Sequence, residues 1–147
     1  MIKEILILIL WTIAPFLELR ASIPYGILIL NMEWWVVFLV CVLANILLAP
    51  LVWVFVHHIL WIFLKIKFID RIYNKLVERS QRKIKPYVDK YGKIGLALFI
   101  GVPLPGSGVY SGCLGAYLLG FKFRDYMVSS MLGVLIAGSI VLLLCSF

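Results

Sequence analysis

Charge is scarce in this chain: 14% of its 147 residues are charged, and only 7 of those are acidic. A soluble domain carries about a quarter charged residues and about half apolar ones. Here 64% are apolar and the mean hydropathy is +1.08. So short a chain has too little interior to hide the surplus, so an ordinary water-soluble domain is excluded. The surplus must face lipid. Cysteine is equally sparse. Cys41, Cys113 and Cys145 lie within apolar runs and lack the C-x-x-C spacing of a zinc or redox site. They read as small core residues. There is no H-E-x-x-H, no G-x-S-x-G, and no glycine cluster that ends in G-K-[ST]. No enzyme, metal or cofactor is expected, and nothing suggests an ATP engine. Transport, if present, would be passive or driven by an ion gradient.

Four apolar blocks nearly exhaust the length at roughly 20 residues per crossing, so a substrate site must lie between helices. Block one, residues 5–30, holds Pro15, Glu18, Arg20, Pro24 and Gly26 near its middle. Block two, residues 34–64, is the cleanest span, with Trp34, Trp35 and Trp61 placed as interfacial belts. It is long enough to predict tilt or a kink at Pro50. Block three, residues 94–121, carries Pro103-Leu104-Pro105-Gly106-Ser107-Gly108 in its middle, and block four covers residues 126–147. The N-terminal run looks superficially like a secretory signal. Glu4 sits where positive charge belongs and Pro15 and Glu18 interrupt the run, so cleavage is not expected.

Residues 65–93 hold ten basic residues against three acidic ones, a surplus that equals the +7 formal charge of the whole chain. Apolar residues recur among them mostly three and four apart, which predicts an amphipathic helix on the membrane surface. Nucleic-acid binding is the rival reading of a basic run, but a position between spans argues against it. The positive-inside rule makes this segment cytoplasmic.

Blocks one and three are each broken at the centre by proline, glycine and polar groups. Broken backbone at membrane depth is tolerated only when buried in protein or lining a wet cavity. Two readings fit: kinked spans, or re-entrant hairpins that return to the side they entered. Charge favours the second, because a full crossing by block three would deliver Lys122 and Arg124 to the wrong side. The same logic puts the N-terminus and Glu33 outside. The expected fold is an all-α integral membrane domain, multi-pass in the cell membrane. Residues 1–64 form a hairpin plus a transmembrane helix, residues 65–93 a basic amphipathic cytoplasmic connector, and residues 94–147 the inverted repeat, a recurring transporter plan.

The run Glu18-Leu19-Arg20-Ala21-Ser22-Ile23-Pro24-Tyr25-Gly26 resembles the E-x-R-x-x-I-P-x-G signature of the small multidrug export protein family. Residues 103–108, with Ser111-Gly112, resemble its second signature. The likeness covers essentially the whole chain. The family is similar in plan to the larger DedA (VTT-domain) superfamily, whose members have two re-entrant hairpins and are implicated in moving lipids, including polyprenyl phosphates. The resemblance therefore implies a transporter or flippase.

The candidate site follows from the residues. A charge at the bilayer centre costs a few kcal/mol even on the lenient scale, so Glu18 and Arg20 need partners. Residues two apart on one helix do not face each other, but a break near Pro15 or Pro24 would let both enter one cavity. Glu18 then takes a protonation or coupling role and Arg20 grips an anionic group. The structural alternative is a pair that clamps the two hairpins. Pro103, Pro105, Gly106, Ser107 and Gly108 supply the other half: a half-helix starting near Gly108 aims free N–H groups at the cavity, which suits phosphate or carboxylate. Ser107 and Ser111 either bond a headgroup or cap a helix. Gly108, Gly112, Ala116 and Gly120 read as a close-packing stripe, as do Gly133 and Ala137. Asn45 reads as a hydrogen bond between helices, and His57 and His58 as interfacial. The expected partners are membrane lipids, an anionic amphipathic substrate and a second copy of the chain. Export of cationic drugs and a non-transporting scaffold are the alternatives.

Overall fold

The computed structural model describes residues 1–15, 17–63, 65–102 and 107–147. Every regular element among them is helical: α1 (Ile2–Ile13), α2 (Glu18–Pro24), which runs into a π-turn (Tyr25–Ile29), α3 (Trp34–Phe63), α4 (Lys67–Tyr91), α5 (Lys93–Gly101), α6 (Val109–Leu118) and α7 (Phe123–Ser146). At 1.5 Å per residue, the 30 residues of α3 and the 24 of α7 extend about 45 and 36 Å, enough to cross a ~30 Å hydrocarbon core. The 12 residues of α1, 9 of α5 and 10 of α6 reach only about 14–18 Å. None of the three can cross alone.

The long helices are apolar on their outer as well as their inner faces. Leu39, Leu43, Leu47 and Leu51 form an exposed row along α3, and Leu132, Leu135, Leu143 and Leu144 are exposed on α7. A contiguous apolar surface of this extent has no place in water. It places the chain in a membrane. Trp34, Trp35 and Trp61 are exposed at the two ends of α3, and the Lys65 ammonium sits 4.0 Å over the Trp61 ring.

Contacts between helices fix their directions. Thr12 meets Ser22, Trp11 stacks on Tyr25, and Leu8 touches the Gly26 position, so α1 and α2 run antiparallel. Trp53 packs on Phe123 and Tyr126, while Phe38 and Val42 meet Gly138, so α3 and α7 are antiparallel too. By contrast, α5 and α7 are parallel. Lys93 bonds Asp125 and Ser129, Ile100 faces Gly133, and Gly101 faces Ile136. The Lys93 ammonium lies 2.6 Å from the Asp125 carboxylate. Lys93 at the start of α5 and Asp125 at the start of α7 therefore stand side by side. Lys122 and Arg124, beside Asp125, stand at the same end as α4.

Three expectations change. Proline at position 24 does not break the first block: the chain stays helical through it, with φ −58° and ψ −40°. Proline removes one hydrogen bond and crowds the carbonyl four residues back. The following turn widens, with Leu30 N–H donating to Tyr25 C=O, the π-bulge geometry that absorbs such a defect. The break lies at the other position expected, around Pro15, between Ile13 and Glu18. Second, Gly120 is exposed and has open space around its Cβ position, because α6 ends at Leu118 and Gly120 belongs to the turn beyond. The rest of the stripe packs as expected: Gly108, Gly112 and Ala116 are buried, and a Cβ on Gly112 would meet Ile100 Cδ1 at 2.8 Å. Cys41 and Cys113 are likewise buried core residues.

Third, among the described residues Asn45 makes no interhelical hydrogen bond. It is fully buried, and among the described residues neither its amide nitrogen nor its oxygen has a partner. Its neighbours on α3 at one-turn spacing, Cys41, Leu48 and Ala49, are core residues with no strong donor or acceptor to offer. An unmet buried polar group costs about 1–3 kcal/mol. Asn45→Leu, close in volume, is therefore expected to stabilise the detergent-solubilised protein by about that amount in thermal unfolding. Destabilisation would show that the amide has a partner in the folded protein.

Candidate functional site

The two broken blocks meet at their breaks. Residue 17 leads into α2 and Glu18, its first residue, has φ +44°, a left-handed conformation that a glutamate adopts at a cost of order 1–3 kcal/mol. Strain of this kind persists where the surroundings hold the residue in place. Here the holder is visible: the Glu18 carboxylate lies against Gly108 at the start of α6 and faces the backbone N–H groups of Val109 and Tyr110. These are two of the four donors that a helix leaves unmet at its N-terminus, where the helix dipole is also positive. Glu18 is 7% exposed, so the arrangement is enclosed within the protein.

Gly108 permits the approach. It is the residue before α6, with φ +147°, and a Cβ built on it would stand 2.8 Å from Glu18 Oε1 and 2.9 Å from Cδ. Any larger residue would push the carboxylate off the helix end.

Arg20, half-buried in the same first turn of α2, crosses to the same loop. Its Nη2 donates to Ser107 Oγ at 2.8 Å and to the Val102 carbonyl at 3.3 Å, and Ser107 Oγ donates to that carbonyl at 2.6 Å. The guanidinium thus ties the last turn of α5 to the approach to α6, with the negative Glu18 as neighbour. Tyr110 completes the junction from the other side, its hydroxyl donating to the Ile13 carbonyl at 2.5 Å. That carbonyl belongs to the last residue of α1, where intrahelical donors run out. Behind the junction, Thr12 Oγ1 lies 2.7 Å from the Leu8 carbonyl and 2.9 Å from Ser22 Oγ, and Ser22 donates to the Glu18 carbonyl at 2.8 Å. Both side chains are fully buried.

Of the residues singled out in the sequence, Glu18, Arg20, Ser107 and Gly108 come together. Ser111 lies half-buried in the first turn of α6. Pro24 and Gly26 lie further along the second short helix. A Cβ on Gly26 would meet Val37 Cγ1 at 2.7 Å and Leu8 Cδ2 at 3.0 Å, so this glycine serves close packing between α1, α3 and the π-turn. Pro103, Pro105 and Gly106 lie outside the described residues. The expectation of an N-terminus open to an anionic ligand changes in an instructive way. The half-helix begins at Val109 as expected, but the anion on it is the protein's own Glu18.

Sequence reading passed over Tyr110, Thr12 and Ser22. Thr12 and Ser22 stand on either side of the break in block one, and that symmetry was the available signal. The described residues contain no group of three His, Cys, Asp or Glu side chains placed to hold a metal.

Comparison with curated proteins and with solved structures gives no match. Residues 18–140, which span both motifs and all of the junction except Ile13 and Thr12, match the family described as "Putative small multi-drug export protein", and the chain belongs to that family.

Proposed function

We propose that this protein is a small membrane transporter that moves an amphipathic anion, of which a polyprenyl-phosphate lipid is one example, by alternating access to the Glu18–Arg20 junction. The carrying observation is the Glu18 carboxylate seated on the α6 N-terminus with Arg20 beside it. It is an anion site filled from within. Protonation of Glu18 would neutralise the carboxylate, weaken its hold on the Val109 and Tyr110 N–H groups, and free two donors and a neighbouring guanidinium for an incoming phosphate or carboxylate. Return of the proton to the other side would reseat Glu18 and expel the substrate. Proton and anion exchange at one place, which is the simplest form of coupling.

The fold supports this reading in two ways. Short helices in antiparallel or returning pairs, each followed by a long helix, suit re-entrant hairpins that meet at the bilayer midplane. The antiparallel setting of α3 and α7 suits an inverted repeat. The shared end that holds α4, Lys122 and Arg124 is then cytoplasmic.

The family's description favours a second reading, export of cationic drugs with Glu18 as the binding anion. The engagement of Glu18 with two N–H donors leaves it poorly disposed to a cation. Arg20→Ala separates the two. Binding of a lipid phosphate to the purified protein is expected to weaken at least tenfold, about 1.4 kcal/mol, with binding of a lipophilic cation unchanged. Unchanged anion binding, with cation binding lost in Glu18→Gln, would move the assignment to drug export.

A further inference from the structure

The connector α4 takes no part in the junction, yet it carries eight of the fourteen basic residues. Its 25 residues extend about 37 Å, and it packs on α5 and α6. Among the described residues of α4, Tyr73 and Val77, one turn apart, are half-buried, with Tyr73 beside Tyr117 near the end of α6. The neighbouring stripe has no cover. Phe68, Ile72 and Leu76 follow at one-turn intervals and are 74%, 48% and 40% exposed. Next to that stripe runs a row of exposed cations, Arg71, Lys75, Arg79 and Arg82. Lys75, Arg79 and Arg82, with Glu78, surround a shallow depression of about 250 Å³.

Three stripes in this order, body, apolar and basic, fit one surroundings. The helix is tied at one end to α3, just beyond the exposed Trp61 and Lys65, and at the other to α5 through Gly92. The attachment to α3 lies where the exposed apolar surface of that helix gives way to Trp61 and Lys65, the residue types of a membrane interface, and this sets α4 at the headgroup level. An exposed apolar row on a tethered helix at that level enters the acyl boundary, and the basic row beside it meets phosphate.

We infer that α4 is a docking surface for anionic phospholipid: Phe68, Ile72 and Leu76 lie in the interface, while Arg71, Lys75, Arg79 and Arg82 hold the headgroups of the adjoining leaflet. Lipid composition then acts on the element that joins α3 to α5 and packs beneath α6. A soluble nucleic acid or acidic protein would satisfy the basic row but leave the apolar one in water.

The test uses the full chain in nanodiscs of phosphatidylcholine, with or without phosphatidylglycerol. Nitroxide labels are placed at Ile72→Cys or, as a control on the opposite side, Asn74→Cys, with the half-buried Cys145 replaced by serine. The label at 72 should be several-fold less accessible to a water-soluble nickel chelate than the label at 74. The contrast should deepen with phosphatidylglycerol and relax in high salt. Arg71→Gln, Lys75→Gln, Arg79→Gln and Arg82→Gln together should abolish the deepening and leave the basal contrast. The salt series on the unaltered helix serves if that variant misfolds. Equal chelate access at 72 and 74 would overturn the docking. A contrast indifferent to phosphatidylglycerol and to salt would overturn its anionic selectivity.

Discussion

Gly108→Ala should be severely damaging to this protein. The backbone there, at φ +147°, is open to glycine and strained for any L-residue by about 1–3 kcal/mol. The added carbon would also fall on the Glu18 carboxylate. Relief has to come from moving Glu18 off the Val109 and Tyr110 N–H groups. Those donors are buried, and each left unmet costs about 1–3 kcal/mol. The expected result is a loss of several kcal/mol in thermal stability, or failure to accumulate in the membrane, with no anion binding in whatever protein is recovered. Wild-type stability and binding in Gly108→Ala would mean that the carboxylate does not sit on the end of α6.

The second large effect separates structure from function at the same place. Glutamine at position 18 keeps an acceptor oxygen for the two N–H groups and gives up the charge and the titration. Glu18→Gln should therefore fold, bind anions with a flattened pH dependence, and lose at least tenfold in gradient-driven transport, about 1.4 kcal/mol. Glu18→Ala abandons both donors in a site that is 7% exposed and should destabilise by about 2 kcal/mol or more. A scaffold whose buried charges are purely structural predicts that glutamine unfolds the protein. Thermal unfolding and transport on the same preparations distinguish the two.

Much of this architecture was legible because membrane burial writes in long runs. Long predominantly apolar runs, a central Pro-Gly cluster and a block of basic residues each signal locally, and they correspond to α3 and α7, the gap between α5 and α6, and α4. The start of α6 was legible from Gly108 for the same reason. What stayed hidden depends on contacts between residues 80 to 100 positions apart. Nothing in the local sequence says that Glu18 caps the helix beginning at Val109, or that Tyr110 reaches the carbonyl of Ile13. The expectation there was an anionic ligand; the carboxylate that lies at that N-terminus is the protein's own. The helical path through Pro24 was not legible because the widened turn after it is a tertiary accommodation, and nothing local to Gly26 shows that it packs on Val37 and Leu8. Asn45 misled: an amide in a span normally finds a partner, and this one has none among the described residues.

The most direct test is translocation of a labelled polyprenyl phosphate in proteoliposomes, with and without a pH gradient. Wild-type protein should move the lipid faster than empty liposomes and faster again with the gradient, and folded Glu18→Gln and Arg20→Ala should fall to the empty-liposome rate. Movement no faster than in empty liposomes, or movement that survives both substitutions, would contradict transport through this junction.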